Sequence, residues 1–336
     1  PCIQRIHIVH YQQFLINTES PPMKTSHLFT VLLLICTGLL ISSCDKVDAP
    51  YRTASSVGVV YLNNDTVVID SDTLGFTTDN STPGKKVLAE DYTGILCGNC
   101  PYAGIKLNDT IQPSYGDRLV VISVHAGFFA EPCPGGLACP GSQPAGAFTT
   151  DFRTSTGEEW DHNFGNSNAG NPNGLIDRVG FPTSQHIKSP SSWASVIQQR
   201  SNVAAPFAVR IQHTYNAGTG ELKLAVQTRA VSNLTGTYKL TVVLTEDSLT
   251  DWQEWYPPVT PEYDPDYVHR HVLRAAVNSD YGEVIADGTV SGGTLALKGY
   301  KINLKPEWVP AHMRIVAFVS DETTYEVKQV EAQWVQ

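Results

Sequence analysis

The feature that most limits the fold is a pair of cysteines, Cys97-Gly98-Asn99-Cys100, that stands between a strand-like run and a helix-like run. The apolar segment Lys86 to Tyr92 precedes the pair, and the segment Gly98 to Gln112 has the pattern of a helix. A second apolar run, Arg118 to His125, is typical of a buried parallel strand. This order predicts a strand–helix–strand unit in which the cysteines lie where the helix begins.

Such a position suits a reactive thiol. Free N–H groups at the start of a helix stabilise a thiolate on the first cysteine. The second cysteine, one turn later, lies close enough to resolve a mixed disulfide and release a substrate. Cys97 is therefore predicted to be the nucleophile and Cys100 the resolving cysteine. A static disulfide and half of a zinc site are the alternatives.

The beginning of the chain predicts export. Leu28 to Ile41 is an apolar core too short to span a membrane comfortably, and Ile41-Ser42-Ser43-Cys44 ends it with small residues before a cysteine. This ending resembles the lipobox of bacterial lipoproteins, which implies cleavage before Cys44 and anchoring through acyl chains on that residue. Residues 1–22 are interpreted as upstream translated sequence and residues 23–43 as the signal peptide. An ordinary cleaved signal peptide or an uncleaved anchor is the alternative.

The charge and the cysteine content limit the classes of partner and the chemistry that are expected of this chain. The chain of 336 residues has 23 Lys and Arg against 33 Asp and Glu and no basic run, which argues against a nucleic-acid partner. Beyond Cys44, an even set of cysteines remains, which indicates disulfide chemistry in an exported protein. Besides the first pair, Cys133 and Cys139 flank a Gly/Pro-rich loop and are predicted to close a local disulfide, with a second redox pair as the alternative. No cofactor is predicted.

The remaining sequence divides into three segments. Residues 44–83 predict a polar tether with a small hairpin formed by Val57 to Leu62 and Thr66 to Ile69. Residues 84–203 predict an α/β domain. Residues 204–336 predict an antiparallel β-sandwich of the immunoglobulin or fibronectin type III kind, because strand-like runs alternate with polar turns. The predicted fold class is thus α/β followed by all-β.

The α/β segment resembles the thioredoxin fold. The resemblance implies that Asp91, six residues before the first cysteine, is a buried acid that relays protons to the resolving cysteine. It also implies a cis-proline that faces the dithiol and shapes the edge where a peptide binds. Pro172 and Pro182 are the candidates, and Pro172 is favoured because it leaves room for two strands and a helix after it. Leu96 replaces the Trp that thioredoxins carry before the motif, which leaves substrate range and redox potential open.

Most of the chain beyond the leader also resembles the lipoproteins of Bacteroidetes related to outer membrane protein 28. The resemblance implies a lipid-anchored protein of the cell envelope, in the outer membrane, with the membrane face left open. Two functions fit it: thiol–disulfide exchange with protein clients at the dithiol, or non-enzymatic binding of a surface ligand in an adhesin-like or receptor-like role. The matching segments are Glu90 to Gly94, Cys97 to Pro101, Val124 to Gly127, Asn173 to Arg178 and Tyr267 to Arg274.

Histidines and aromatic residues supply further candidates. His125 ends the second parallel strand and is a candidate to tune Cys97 or to shuttle protons, with a structural hydrogen bond as the alternative. His269 and His271 are expected on one face of a strand, where a metal site is conceivable. An aromatic cluster predicts either an exposed ligand-binding loop or core packing, and its members are Trp252, Trp255, Tyr256 and Tyr263.

Overall fold

Strands carry most of the described chain, and short helices connect some of them. The computed structural model describes residues 55–258 and 262–336. The α-helices are α1 Cys100–Ile105, α2 Ser155–Phe164, α3 Asn166–Ala169 and α4 Trp193–Ser201. The strands are β1 Val59–Tyr61, β2 Thr66–Ile69, β3 Asp72–Gly75, β4 Val87–Thr93, β5 Leu119–His125, β6 Asn173–Ile176, β7 Ile187–Lys188, β8 Phe207–Asn216, β9 Glu221–Ala230, β10 Leu234–Thr235, β11 Tyr238–Glu246, β12 Leu249–Glu254, β13 Tyr263–His269, β14 Val272–Ala276, β15 Glu283–Ala286, β16 Thr289–Val290, β17 Leu295–Asn303, β18 Met313–Asp321 and β19 Val327–Trp334.

A nine-stranded sheet joins the two halves of the chain. Its order is β19, β18, β11, β14, β5, β4, β6 and β7, and β15 also pairs with β11. β4 and β5 are parallel, with Asp91 opposite Ser123, and β6 runs antiparallel to β4, with Asp91 opposite Gly174. β14 pairs in parallel with β5 through Val272 and Ser123. The predicted strand–helix–strand unit is confirmed, and the sheet continues from it into the C-terminal half.

Alternation along β4 gives the sheet two different faces. Val87 and Ala89 pack with residues of α1 and α4 in one apolar cluster. Leu88 and Tyr92 pack on the opposite face with residues of α2. The odd-numbered positions therefore face α1, and Asp91 follows Ala89 on that side.

A three-stranded sheet of β17, β9 and β8 packs on the C-terminal part of the nine-stranded sheet. Phe207 of β8 and Leu224 of β9 share an apolar core with Leu240 of β11 and Ile315 of β18. The predicted hairpin near the start of the described residues is β1 paired with β2, and β3 adds a third strand to it. The described chain is thus a β-rich fold with some helices.

The predicted domain boundary at residue 203 lies in a connection, because α4 ends at Ser201 and β8 begins at Phe207. Strands from both sides of that boundary nevertheless pair in one sheet, and the described residues belong to one compact unit. The division into two domains stays a prediction.

The helix after the cysteines is less regular than predicted. α1 begins at Cys100, and Pro101 occupies its first turn, where a missing N–H removes no helical hydrogen bond. A π-helical stretch, Lys106–Ile111, and a 3₁₀ turn, Gln112–Ser114, replace the rest of the predicted α-helix. Wider π-helical turns often occur at functional sites, and this one lies beside the dithiol.

Helix α2 lies in a segment to which the sequence assigned no element. The Thr154 side chain accepts a hydrogen bond from the Gly157 N–H at 2.9 Å, which caps the first turn. Gly165, with a φ of 75°, ends the helix in the left-handed conformation. Trp160 and Phe164 are buried against the sheet, so α2 covers the face opposite α1.

Candidate functional site

Cys97 and Cys100 form a disulfide at the start of α1. Their Cα atoms are 5.3 Å apart, and each residue is only 3% exposed. The Cys97 N–H donates to the Gly94 carbonyl at 3.0 Å, and the Cys100 N–H donates to the Cys97 carbonyl at 2.9 Å. The turn thus places both sulfurs at the carboxyl end of β4, where the sequence predicts them.

A hairpin from the C-terminal half covers this disulfide. The hairpin consists of β12 and β13, which pair antiparallel. The Glu254 N–H donates to the Ile95 carbonyl at 2.9 Å, and the Tyr256 N–H donates to the Gly98 carbonyl at 2.9 Å. These bonds resemble those of an extended peptide laid beside the motif. The cover explains why Cys97 is buried.

Gly98 and Gln253 hold the cover close to the motif. A Cβ at position 98 would lie 2.2 Å from the Tyr256 ring, so only glycine admits this approach. The Gln253 side chain, which is buried, donates to the carbonyls of Gly94 at 3.2 Å and Cys97 at 3.3 Å. Backbone and side-chain contacts therefore act together in the cover.

The aromatic cluster belongs to the same cover. Trp255 meets the Tyr102 ring edge-on, with centroids 5.4 Å apart. Trp252 and Tyr263 both contact Phe148, with centroids at 6.0 and 5.7 Å. These contacts support the packing role for Trp252, Trp255 and Tyr263, whereas Tyr256 is exposed.

A cavity of about 150 Å³ lies behind the disulfide. The cavity is lined by β4, by β5, by α1 with its π-helical continuation, and by the β12–β13 hairpin. β4 and β5 contribute because side chains alternate between the two faces of a sheet, and every second side chain of these strands faces α1. The lining residues that matter here are Asp91 and Thr93 of β4, Ser123 and His125 of β5, Cys100, Asn108 and Asp109 of α1 and its π-helical continuation, and Gln253, Tyr267, His269 and Arg270 of the hairpin. The fold thus brings together four predicted site residues, Asp91, Cys100, His125 and His269.

Asp91 is the most unusual of these groups. It is 4% exposed, and its Oδ1 atom has no hydrogen-bond partner within residues 55–258 and 262–336. Burial raises the pKa of Asp91 from 3.8 to about 7. The carboxyl group can therefore gain and lose a proton near neutral pH.

His125 and His269 lie side by side, with ring centroids 5.4 Å apart. Burial lowers the pKa of His125 well below its ordinary value, and the neighbouring His269 contributes to the shift. Burial also lowers the pKa of His269 to about 4. Both imidazoles are therefore neutral at physiological pH.

The expected pairing of His269 with His271 on one strand face is wrong. His271 follows β13 with a φ of 55°, which turns the chain after His269. Its Nδ1 atom lies 3.1 Å from Asp247 Oδ2, outside the cavity that His269 lines. Among the described residues, no group of three or more His, Cys, Asp or Glu side chains could hold a metal ion.

The two candidate prolines both follow cis peptide bonds. Pro172 is half-buried and directly precedes β6, whose Asn173 pairs with Tyr92 of β4. Pro182 is exposed in the connection between β6 and β7. Neither proline lines the cavity. The role of Pro172 beside the dithiol stays a prediction.

Cys133 and Cys139 form the second disulfide, with Cα atoms 5.8 Å apart. Cys133 is buried in an apolar cluster with Ile95 and Leu96, the residues that lead into the first cysteine pair. The predicted pairing is confirmed, while its role as a staple or as a second redox pair stays a prediction. Cys44, the predicted lipidation site, lies outside the described residues.

The sequence did not single out Asn108, Gln253 or Tyr267 as site residues. Asn108 lies in the predicted helix. The sequence shows only that it is a polar residue away from the apolar face of that helix, which does not distinguish it from a solvent-exposed residue. Tyr267 begins the segment Tyr267 to Arg274, which carried part of the family resemblance, so that motif contained a usable signal. Gln253 has no comparable signal, because its partners are backbone carbonyls distant in sequence.

Comparison with known proteins identifies the family. The family model described as "Outer membrane protein Omp28" matches residues 158–336, more than half of the chain. The chain belongs to the Omp28 family. Membership confirms the predicted localisation, a lipid-anchored protein of the outer membrane in the cell envelope. Within residues 55–258 and 262–336, no helix is both long and apolar enough to span a membrane.

Two solved structures give weaker likenesses. A domain of the outer membrane lipoprotein Omp28 from Porphyromonas gingivalis is 23% identical, with 39% of this chain and 89% of that chain covered and a TM-score of 0.27. A β-glucosidase involved in saponin metabolism from intestinal bacteria is 10% identical, with 39% of this chain and 16% of that chain covered and a TM-score of 0.17. TM-scores of this size do not establish a shared fold. No curated protein matches the chain.

Proposed function

We propose that this outer-membrane lipoprotein exchanges thiols and disulfides with protein clients through Cys97 and Cys100. The observation that carries the proposal is Asp91, a buried acid with a pKa of about 7 in the cavity behind Cys100. A buried polar group without a partner costs about 1–3 kcal/mol. A purely structural disulfide needs no such group, whereas a resolving thiol needs a proton acceptor beside it.

The parts around the dithiol support a thioredoxin-like arrangement. β4, the cysteine turn, α1 and parallel β5 follow one another, and antiparallel β6 and β7 and then α4 come after them. Pro172 precedes β6 at the place where a cis-proline shapes a client-binding edge in that fold. The C-terminal strands, with two sheets around one core, support the proposed immunoglobulin-like sandwich.

The exchange has two steps when a client disulfide is reduced. The Cys97 thiolate attacks the client disulfide, one client sulfur leaves as a thiolate, and a mixed disulfide forms. Cys100 then transfers its proton to the Asp91 carboxylate and attacks the Cys97 sulfur. The second client sulfur leaves as a thiolate and the Cys97–Cys100 disulfide forms. Two electrons pass to the client, and a dithiol reductant of the envelope restores the thiols. Client oxidation is the reverse.

Protein clients reach Cys97 only when the cover moves. Residues 253–256 contact the cysteine motif through two backbone hydrogen bonds and through the side-chain amide of Gln253. A client strand that replaces these bonds would gain the same carbonyl acceptors, Ile95 and Gly98. The hairpin thus occupies the place that the proposal assigns to a client.

Turnover of a scrambled-disulfide protein or of insulin tests the proposal, with the full-length protein in detergent. We expect exchange by the wild type and none by Cys97→Ser. The matched control, Cys133→Ser with Cys139→Ser, removes the other disulfide and is expected to retain exchange. Absence of turnover, together with a Cys97–Cys100 disulfide that resists every dithiol reductant tested, would overturn the proposal.

A trap identifies the clients. Cys100→Ser removes the resolving thiol, so the mixed disulfide on Cys97 is expected to accumulate in envelope preparations. Mass spectrometry of the trapped species gives the client sequences. A Cys97→Ser/Cys100→Ser double variant should trap none of them.

The burial of Cys97 favours a second candidate, a non-enzymatic surface lipoprotein with a structural disulfide. Static disulfides are commonly inaccessible, and Cys97 is 3% exposed. In this case the β-rich part binds a surface ligand in an adhesin-like or receptor-like role. Slow alkylation of Cys97 in the reduced, folded protein, with binding to host or envelope proteins unaffected by Cys97→Ser, would favour this candidate over exchange.

A further inference from the structure

We propose that His125 and His269 hold a chain of ordered water that carries protons between Asp91 and solvent. The path serves the proposed exchange at Cys97 and Cys100, and its purpose rests on that function. His269 comes from β13, so the β-rich half of the chain would complete the redox site of the other half.

Unpaired polar atoms mark the path. Asp91 Oδ1, Asn108 Oδ1, His125 Nδ1 and His269 Nε2 have no hydrogen-bond partner in the described part of the chain, and all four residues line the one cavity. Each such buried atom is costly unless water or a ligand bonds it. Water occupies a buried site that is roomy and offers two to four polar partners. A cavity of about 150 Å³ has room for several molecules.

The neutral imidazole of His269 offers an atom to water in the cavity. Burial lowers the pKa of the ring, and this effect outweighs the opposing effect of the backbone at Trp252 and Asp251. The Nε2 atom has no hydrogen-bond partner among the described residues. In a neutral ring, this nitrogen either accepts or donates a hydrogen bond, depending on the tautomer. His269 can therefore position water without being charged.

The path has an outer end at an exposed ion pair. Arg270 and Asp109 both line the cavity, their nitrogen and oxygen atoms are 2.6 Å apart, and their side chains are 43% and 49% exposed. The buried end is Asp91. The other titratable or charged groups of the cavity are Cys100 of α1, His125 of β5 and Tyr267 and His269 of β13.

The exchange step creates the need for such a path. When Cys100 resolves a mixed disulfide, its S–H bond breaks and an O–H bond forms on Asp91. The carboxyl must lose that proton before it can accept another. Because Asp91 is 4% exposed and lines the cavity, the cavity is the route by which this proton reaches solvent.

Infrared spectroscopy of the oxidised full-length protein in detergent follows this proton directly. The carbonyl band of protonated Asp91 is assigned by its absence in Asp91→Asn. A jump from acidic to alkaline pH starts proton loss, and the decay of the band gives its rate. Replacing His125 and His269 by Phe keeps rings in place and removes the atoms that bond water. His162→Phe on the exposed side of α2 is the matched control.

We expect the double Phe variant to lose the Asp91 proton at least about tenfold more slowly, in line with the effect of removing a positioned proton-transfer group. His269→Gln retains a polar atom for water and should stay close to the wild-type rate, as should His162→Phe. If the double variant does not fold, His269→Phe alone carries the same comparison. The proposed path is overturned if folded Phe variants lose the Asp91 proton at the wild-type rate. It is also overturned if His269→Gln slows this proton loss as much as His269→Phe does.

The two proposals fail in different ways. If the wild type exchanges disulfides but the Phe variants lose the Asp91 proton at the wild-type rate, the proposed water path is wrong and the proposed thiol exchange stands. A slowed Asp91 rate in a protein that exchanges no disulfides would remove the proposed function and leave the path as a property of the cavity.

Discussion

Two neighbouring carboxylates on β4 have opposite surroundings. Glu90 is 1% exposed and forms two hydrogen bonds with the Arg178 guanidinium, at 2.6 and 2.8 Å. That guanidinium also lies 4.6 Å from the Trp160 ring centroid. Asp91, one residue later on the other face, has no comparable partner in the described chain. The difference teaches that burial alone does not distinguish a candidate functional acid from a structural one, and that the absence of a partner is the feature that sets Asp91 apart.

Asp177, after β6, is a second buried carboxylate with charged partners. Asp177 accepts a hydrogen bond from the Leu88 N–H at 2.9 Å and contacts Lys85 at 2.8 Å and Arg200 at 3.0 Å. The segment Asn173 to Arg178, part of the family resemblance, therefore supplies one member of each of these two buried charge groups, Arg178 for Glu90 and Asp177 for Lys85 and Arg200. Its role is to join β4, β6 and α4, away from the dithiol.

The largest expected effect tests the paired side of the comparison. Arg178→Met leaves the Glu90 carboxylate buried without its partner, and breaking a buried pair in this way costs about 3–5 kcal/mol. Urea denaturation at neutral pH measures the loss in the free energy of unfolding. Glu90→Gln in the same chain should restore much of it. A loss as small as that of a surface ion pair, about 1 kcal/mol or less, would contradict the assignment.

Asp91→Asn tests the unpaired side. The folded-state pKa of about 7 lies above the ordinary value of 3.8, so the folded protein binds more protons between these values. Stability therefore falls as pH rises from about 4 to about 7, by up to roughly 4 kcal/mol in total. Asn cannot ionise, so the variant should be more stable than the wild type at pH 8, with little difference at pH 4.

Thermal or urea unfolding across this pH range measures the effect. Burial also raises the pKa of Glu254 to about 7, which adds a second pH-dependent contribution to the stability. The wild type and the Asp91→Asn variant both contain Glu254, so this contribution is the same in both. The difference between the two curves isolates Asp91. Parallel curves would show that Asp91 is not the unpaired acid that the comparison requires.

The two disulfides extend the comparison, because Cys133–Cys139 lies outside the cavity with Asp91. Replacing both cysteines by Ala opens a short loop and should lower the free energy of unfolding by roughly 2 kcal/mol. The rate of exchange at Cys97 should be unchanged, since the proton acceptor remains. A loss of exchange equal to that of Cys97→Ser would instead show a second redox pair.

The smallest expected effect concerns the cover. In Gly98→Ala the new Cβ would meet the Tyr256 ring, which is partly exposed and can move outward at a cost of about 1 kcal/mol. After reduction, alkylation of Cys97 in the folded variant should be several times faster than in the wild type. Gly84→Ala is the control, because nothing lies within 4 Å of its added Cβ. Equal alkylation rates would show that the hairpin does not limit access.

Local patterns in the sequence were enough for the dithiol unit. The apolar run before Cys97 and the run that ends at His125 became the parallel strands β4 and β5, because period-two burial and the turn between them are short-range features. The regular helix predicted to Gln112 became a short α1 and a π-helical stretch, since packing beside the cavity overrides helix propensity there. The hairpin of β1 and β2 also follows from local alternation.

The sequence by itself supplied the candidates for chemistry and the family: two cysteines beside a helix start, an acid six residues before them, a histidine at a strand end and the motifs of an outer-membrane lipoprotein family. Only the tertiary structure decided that His269 and Tyr267 share the cavity of Asp91 and that a hairpin covers Cys97. The physical reason is strand pairing. β14 adds to the edge of β5 and carries the β12–β13 hairpin with it, and a pairing between segments so distant in the chain leaves no periodic signal in either of them.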